Sequence, residues 1–242
     1  MAYGGLVVMH DLDFEIRDQD IFAIVGGSGC GKSTLLRHLI GLLEPVQGSI
    51  LYEGKDFTTS DPAARAPIIR RFGVMYQSGA LWSSLTLGEN IAMPLEEAGR
   101  ILPRTVRDLV AYKLALVGLA GYEAFYPSQI SGGMRKRAGI ARAMALDPDI
   151  LFLDEPGAGL DPLSSRRLDE LILRLRDSQG CTIVLVTHEL ASIFTVANKV
   201  LFLDTATRTQ GALGNPTDLR DHSDNPAVRL FLNRGESPTP PP

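Results

Sequence analysis

Four short, largely apolar runs along this chain each end on a glycine or a polar side chain. Ile21-Phe22-Ala23-Ile24-Val25 leads to Gly26, and Phe72-Gly73-Val74-Met75-Tyr76 to Gln77. Ile150-Leu151-Phe152-Leu153 leads to Asp154-Glu155, and Thr182-Ile183-Val184-Leu185-Val186 to Thr187-His188-Glu189. Such runs are too short for amphipathic helices and do not alternate, which predicts strands buried on both faces, as in a parallel sheet. Elsewhere the apolar spacing changes to three and four residues. Leu35, Leu36, Leu39 and Ile40 follow the first run; Val106, Leu109, Val110, Leu114 and Val117 mark Thr105 to Leu119; Leu168, Leu171, Ile172 and Leu175 mark Leu163 to Leu175. These are helices whose stripes belong to a core. The alternation of strands and helices is α/β: residues 1 to about 85 and about 147 to 221 supply the sheet, with a helical lobe at about 86–146 between them.

Polar residues at strand ends matter because open α/β folds bind ligands at the carboxyl edge of the sheet. The first run opens into Gly26-Gly27-Ser28-Gly29-Cys30-Gly31-Lys32-Ser33, followed by Thr34, which matches the phosphate-loop pattern G-x-x-x-x-G-K-[ST] in its strand, loop, helix context. The loop amides can wrap the β- and γ-phosphates of a nucleoside triphosphate, with Lys32 adding a charge and the Ser33 hydroxyl a ligand for Mg²⁺. Asp154 is placed to hold the magnesium shell, and Glu155 to accept a proton from a water attacking the γ-phosphate. Gln77 can orient water or a magnesium ligand, and His188 can hydrogen-bond the γ-phosphate. Taken alone, a Gln or His after a strand is a surface or capping residue; convergence on one edge is what gives these two a role. His10, His38 and His222 lack that context.

A second anion grip is predicted at Ser131-Gly132-Gly133-Met134. Ser131 is an N-cap residue, and the stretch through Leu146, stopping at Asp147-Pro148, reads as a helix whose first amides and positive dipole end face an anion. The cluster Arg135-Lys136-Arg137 is expected on the solvated face of that helix.

Composition narrows the partners. The chain has 242 residues, 45% of them hydrophobic, enough to bury a full α/β core. Its 24 basic and 28 acidic residues leave a net charge of −4, which argues against a general nucleic-acid surface. No apolar run approaches the ~18 residues of a membrane span, and the first residues do not read as a charged-then-apolar signal, so any transport is expected to use separate membrane subunits. Cys30 and Cys181 fit a reducing cytosol without a disulfide framework.

The ordered set of phosphate loop, Gln77, Ser131-Gly132-Gly133, Asp154-Glu155, Gly159-Leu160-Asp161-Pro162 and His188 resembles the nucleotide-binding subunit of an ABC transporter over essentially the whole chain. The resemblance implies a P-loop NTPase fold of the ABC ATPase type, with a parallel sheet core, an antiparallel β part and a helical lobe. It also implies hydrolysis of ATP with Mg²⁺. By the same resemblance Tyr3 stacks on adenine, Gln77 senses magnesium and the membrane subunit, and Glu155 is the general base. Asp161 lies in a loop linking opposed subunits, and His188 is the γ-phosphate switch. Ser131, Gly132 and Gly133 would act on ATP held by a second copy, so a homodimer is implied. Within the family, Met134 in the signature, the surroundings Met75-Tyr76-Gln77-Ser78-Gly79-Ala80-Leu81-Trp82, and the stretch Asp224 to Asn233 resemble the ATPases of Mla-type, MCE-associated phospholipid transporters of Gram-negative bacteria. That implies an integral membrane permease and an MCE-domain lipid-binding subunit as partners, at the cytoplasmic face of the inner membrane. The ATPase domain is expected over residues 1–221 and a C-terminal extension over 222–242, its Pro-rich end disordered. An ATPase of a small-solute importer and a non-transport ABC ATPase are the alternative readings.

Overall fold

Packing of the backbone divides the chain into two units, one built from Met1–Ile69 and the residues from Val184 onward, the other from Arg70–Ile183. The structure, a computed structural model, describes residues 1–233 apart from Gly4, Thr59, Ser60, Ser78 and Arg100, and apart from the side chains of Tyr3 and Leu6. The Pro-rich end therefore lies outside the described residues.

The first unit opens with a short hairpin, β1 (Ala2–Tyr3) and β2 (Leu6–Val7), and continues through β3 (Ile21–Gly26), α1 (Lys32–Leu39), the hairpin β4 (Leu51–Tyr52) and β5 (Lys55–Asp56), and α2 (Pro62–Ile69). The second unit holds β6 (Phe72–Met75), α3 (Leu87–Glu97), α4 (Pro103–Leu116), α5 (Gly132–Ala143), β7 (Ile150–Asp154), α6 (Pro162–Gln179) and the start of β8 (Thr182–Val186). The chain then returns to the first unit with α7 (Leu190–Val196), β9 (Lys199–Asp204), β10 (Thr209–Gly214), α8 (Pro216–His222) and α9 (Pro226–Leu232).

Strand order in the first unit is β10-β9-β3-β8. β3 is buried along its whole length and pairs in parallel with β9, from Phe22 opposite Lys199 to Gly26 opposite Leu203. β10 closes that side as an antiparallel strand, with a register shift between Gln210 and Ala212. In the second unit β6 pairs in parallel with β7, from Phe72 opposite Ile150 to Met75 opposite Leu153. All four apolar runs are strands, and the combination of parallel core and antiparallel edge agrees with the expected class. Ala23 and Val25 of β3 pack with Val200 and Phe202 of β9 and with Ile193 of α7, and α9 covers them through Val228 and Leu232. The C-terminal segment through Leu232 is thus part of this core.

Several boundaries differ from the sequence reading: α4 runs from Pro103 to Leu116 where the spacing predicts Thr105 to Leu119, and α6 from Pro162 to Gln179 where it predicts Leu163 to Leu175. The helix after Ser131 ends at Ala143, not Leu146, because the chain tightens into turns in which the Ala145 amide bonds the Arg142 carbonyl (3.1 Å) and the Asp147 amide that of Met144 (3.2 Å). Met144 and Ala145 stay buried, so the apolar period outruns the helix. A buried Lys113 ammonium holds the Asp147 carboxylate at the turn. At the other strand edge, β6 stops at Met75, one residue before the expected end, and leaves Tyr76 and Gln77 exposed beyond it.

Candidate nucleotide-binding site

In the first unit the phosphate loop is anchored by its strand. A Cβ added at Gly26 would come within 2.5 Å of the Leu203 carbonyl oxygen on β9, and φ there is 147°, so only glycine lets the chain leave the sheet at this point. Gly27, Ser28 and Gly29 are exposed, while Cys30 is buried beneath them and its thiol is pushed up by burial, against the opposing charge of Lys32. Cys30 therefore contributes its backbone to the loop. Lys32, the first residue of α1, curls its ammonium back onto the loop, donating to the carbonyls of Gly26 and Gly27 at 3.0 Å each. Ser33 is exposed and Thr34 half-buried in the same turn. Loop backbone curled around a lysine ammonium, at the N-terminus of a helix, is a fitting cradle for a polyphosphate. His188 belongs to this group: Thr187 is buried and its amide reaches the Ile24 carbonyl at 3.4 Å, which sets the exposed His188 beside the end of β3. Tyr3 lies on β1, and its side chain is outside the described residues.

The second unit gathers Gln77, Asp154, Glu155 and the Ser131 grip. Asp154, half-buried, is the last residue of β7, and Glu155 follows it with φ 49° and is buried. Ser131 caps α5 by accepting the Met134 amide at 3.2 Å, so the following glycines present helix-end amides, as the sequence predicts. Gly133 packs against Ser164 of α6, where a Cβ would meet the hydroxyl at 3.2 Å. Ser164 in turn donates to Asp161 at 2.5 Å, and this bond, with the capping amides, holds the Asp161 carboxyl below its usual range. The loop at Gly159-Leu160-Asp161 and the grip are therefore packed together. An open cleft of about 540 Å³ lies between Gln77, Gly132, Lys136, Gly159 and Leu160.

For a magnesium ion the fit is with the substrate rather than with a protein cage. Among the described residues no group of three or more His, Cys, Asp or Glu side chains could hold a metal. Ser33 in the first unit and Asp154 in the second each carry a hard oxygen, the ligand type that Mg²⁺ prefers.

The basic cluster corrects the expectation of a solvated face. Lys136 is buried and donates to the carbonyls of Gln77 and Glu155, the latter at 3.0 Å. Burial lowers its ammonium pKa, while the neighbouring Glu155 and Asp154 carboxylates work in the opposite direction. Arg137 donates to the carbonyls of Val117 and Gly118 (2.7 and 3.1 Å), and Arg135, though exposed, donates to that of Ile130 at 2.9 Å. One signal for Lys136 was present in the sequence: it stands four residues before Ile140, on the buried side of the helix. Asn90 was not identified either. It is fully buried, and its side chain bonds the backbone of Trp82 in both directions (2.8 and 3.1 Å), which fixes the segment downstream of Gln77.

Comparison with known proteins gives three kinds of likeness. The chain is 40% identical over 232 residues to mkl of Mycobacterium tuberculosis (strain ATCC 25618 / H37Rv), named a probable ribonucleotide transport ATP-binding protein, covering 96% of this chain and 64% of that one. The chain thus spans less than two thirds of the length of that relative. It is 35% identical over 235 residues to the intermembrane phospholipid transport system ATP-binding protein MlaF of Haemophilus influenzae, covering 97% of this chain and 88% of MlaF. Among solved structures, the dimeric ATP-binding cassette MJ0796 in a post-hydrolysis state with ADP and Pi superposes with a TM-score of 0.77 at 26% identity, covering 86% of this chain and 90% of that one. At the level of families, residues 9–158 match the ABC transporter family, a stretch that contains the phosphate loop, Gln77, the Ser131 grip and the paired carboxylates. The chain belongs to the ABC transporter family, as one of its ATP-binding cassettes.

Proposed function

We propose that this chain is the ATP-hydrolysing motor of a transporter that moves phospholipid between Gram-negative membranes. The observation that carries the lipid reading is the likeness to MlaF, which extends over 97% of this chain and 88% of the relative, so the two correspond nearly end to end. In this reading Lys32 and the amides of Gly27 to Thr34 hold the β- and γ-phosphates, and Tyr3 stacks on the adenine. Ser33, Gln77 and Asp154 hold Mg²⁺, which neutralises charge on the phosphate oxygens. Glu155 takes a proton from the attacking water, and His188 hydrogen-bonds the γ-phosphate. The Ser131-Gly132-Gly133 grip serves ATP held by a second copy of the chain, in a homodimer of the kind MJ0796 forms.

No helix among the described residues is long and apolar enough to cross a membrane. In this reading the motor works with an integral permease, docked at the cytoplasmic face of the inner membrane, and with an MCE-domain lipid-binding subunit. A second reading, transport of a small solute, draws on the 40% identity to mkl and its ribonucleotide name. Affinity purification from the native host separates the two. The lipid reading expects a permease and an MCE-domain protein to copurify, with phospholipid bound in mass spectra of the intact complex. Recovery with a solute receptor, and ATPase stimulation by that solute and not by lipid, would overturn it.

A further inference from the structure

Helix α5 presents the Ser131 grip at its first turn, and its next turns clamp the chain that leaves β6. Lys136 donates to the Gln77 carbonyl. Gly139 lies so close to Gly79 that a Cβ at 139 would stand 2.9 Å from the Gly79 Cα. Arg142 donates to the carbonyls of Ala80 (2.6 Å) and Gly79 (3.3 Å). Residues 136, 139 and 142 are spaced by three along one side of the helix. Of the three, Lys136 also reaches the residue just after the neighbouring strand β7, where its ammonium meets the Glu155 carbonyl at 3.0 Å.

We infer that Lys136 is a positioning residue for ATP hydrolysis, one that ties the helix behind the Ser131-Gly132-Gly133 grip to Gln77 and to Glu155 at once. The geometry at Glu155 gives the tie its consequence. A glutamate at φ 49° occupies backbone space that non-glycine residues seldom visit, and such a conformation persists only where its surroundings hold it. The Glu155 carbonyl is held from two sides, by Lys136 and by the Ala158 amide at 3.3 Å. Turning that peptide re-aims the residue that carries the carboxylate. The buried ammonium is held by the hydrogen bonds it donates to two carbonyl oxygens, and removing it takes a donor from both and leaves the Glu155 oxygen with one fewer partner at a buried position. A shift of α5 when the grip closes on an anion is therefore felt at Gln77 and Glu155 together.

The inference rests on the reading of Glu155 as the general base, and the test separates the two. Lys136→Met keeps the length of the stem and deletes its donors; Lys136→Gln keeps an amide donor. Both are made in the full chain, alone and with Glu155→Gln, and assayed for binding of a fluorescent ATP analogue, for kcat and KM, for the Mg²⁺ concentration giving half activity, and for single-turnover hydrolysis. Lys136→Met is expected to bind nucleotide within about threefold of the parent, with KM little changed, kcat down at least about tenfold and the half-activating Mg²⁺ raised several-fold. Lys136→Gln falls between, and in the Glu155→Gln background the Met substitution lowers single-turnover hydrolysis by less than about threefold. If Lys136→Met keeps kcat and its Mg²⁺ dependence within about twofold of the parent, the inference is overturned, and so it is if the Met substitution costs the same factor with and without Glu155. Should Lys136→Met not fold, Lys136→Gln decides on the same criterion. Near-normal turnover of Glu155→Gln alone would remove the base assignment instead, whatever Lys136 does.

Discussion

At the scale of single residues, the roles proposed for the phosphate loop and the acidic pair divide binding from chemistry, and substitution separates them. Lys32 lies within the loop, its ammonium on the Gly26 and Gly27 carbonyls, where a triphosphate would exchange them for its own oxygens. Lys32→Ala should therefore weaken ATP binding itself, read by nucleotide titration. Glu155→Gln leaves the loop intact and removes the proton acceptor, so it should bind ATP normally and hydrolyse it ~10²–10⁴-fold more slowly. Normal turnover in that variant would show that another group activates the water. These residues were legible in the sequence because each stands at a fixed offset from an apolar run. Lys136 was misjudged because a run of three basic residues looks like a solvated face, and only its spacing to Ile140 says otherwise. Asn90 left no comparable signal; its value lies in bonds to Trp82, eight residues away through a loop.

At the scale of elements, caps and strand burial set what the site residues can do. Asp161 caps α6 through the amides of Leu163 and Ser164 and so starts that helix beside the signature glycines. The strand β8, whose end leads to His188, is buried from Thr182 to Val186, and Cys181 just before it is buried as well. That burial makes a pH prediction. The Cys181 thiol is pushed up from 9.0 to about 12 by desolvation. In the unfolded chain it ionises near 9.0 while the folded chain keeps it neutral, so its stabilising contribution is whole below pH 9 and is lost progressively as pH rises from 9.0 toward 12. Urea midpoints at pH 7.5 and 10 should show the parent losing about 1 kcal/mol more than Cys181→Ala between those pH values. An equal loss in both proteins would mean that the thiol ionises freely in the fold. Element boundaries were the least legible feature: hydrophobic spacing continued past Ala143 because buried turns need apolar residues as much as buried helices do.

At the scale of the whole molecule, the proposal that the Ser131 grip serves a second copy's ATP has a direct consequence for mixed assemblies. A Lys32→Ala subunit lacks the loop charge but keeps the grip, and a Ser131→Arg subunit has the opposite defect. Each homodimer then has no intact composite site, while the heterodimer has one of two. ATPase activity in the assembled transporter should rise from near zero to a maximum at equal mixing. A flat response with verified heterodimers would rule out one independently working shared site. The chain's own backbone assigns the phosphate loop and His188 to one packing unit, and Gln77, the grip and the acidic pair to the other.

The sequence by itself determined the class of fold, the identity of the phosphate loop, the acidic pair and the grip, because these follow from local rules: a run of apolar residues makes a buried strand, glycines free amides to turn inward, and a serine caps a helix. It also carried the family. Tertiary structure decided what happens between segments distant in the chain. The steric need for glycine at Gly26 comes from the Leu203 carbonyl, and that at Gly139 from Gly79. The burial of Lys136 depends on two carbonyls supplied by two separate strand ends, at Gln77 and Glu155. Desolvation and backbone approach are set by whichever residues the fold brings near, and no local pattern of hydrophobic and polar positions encodes that identity.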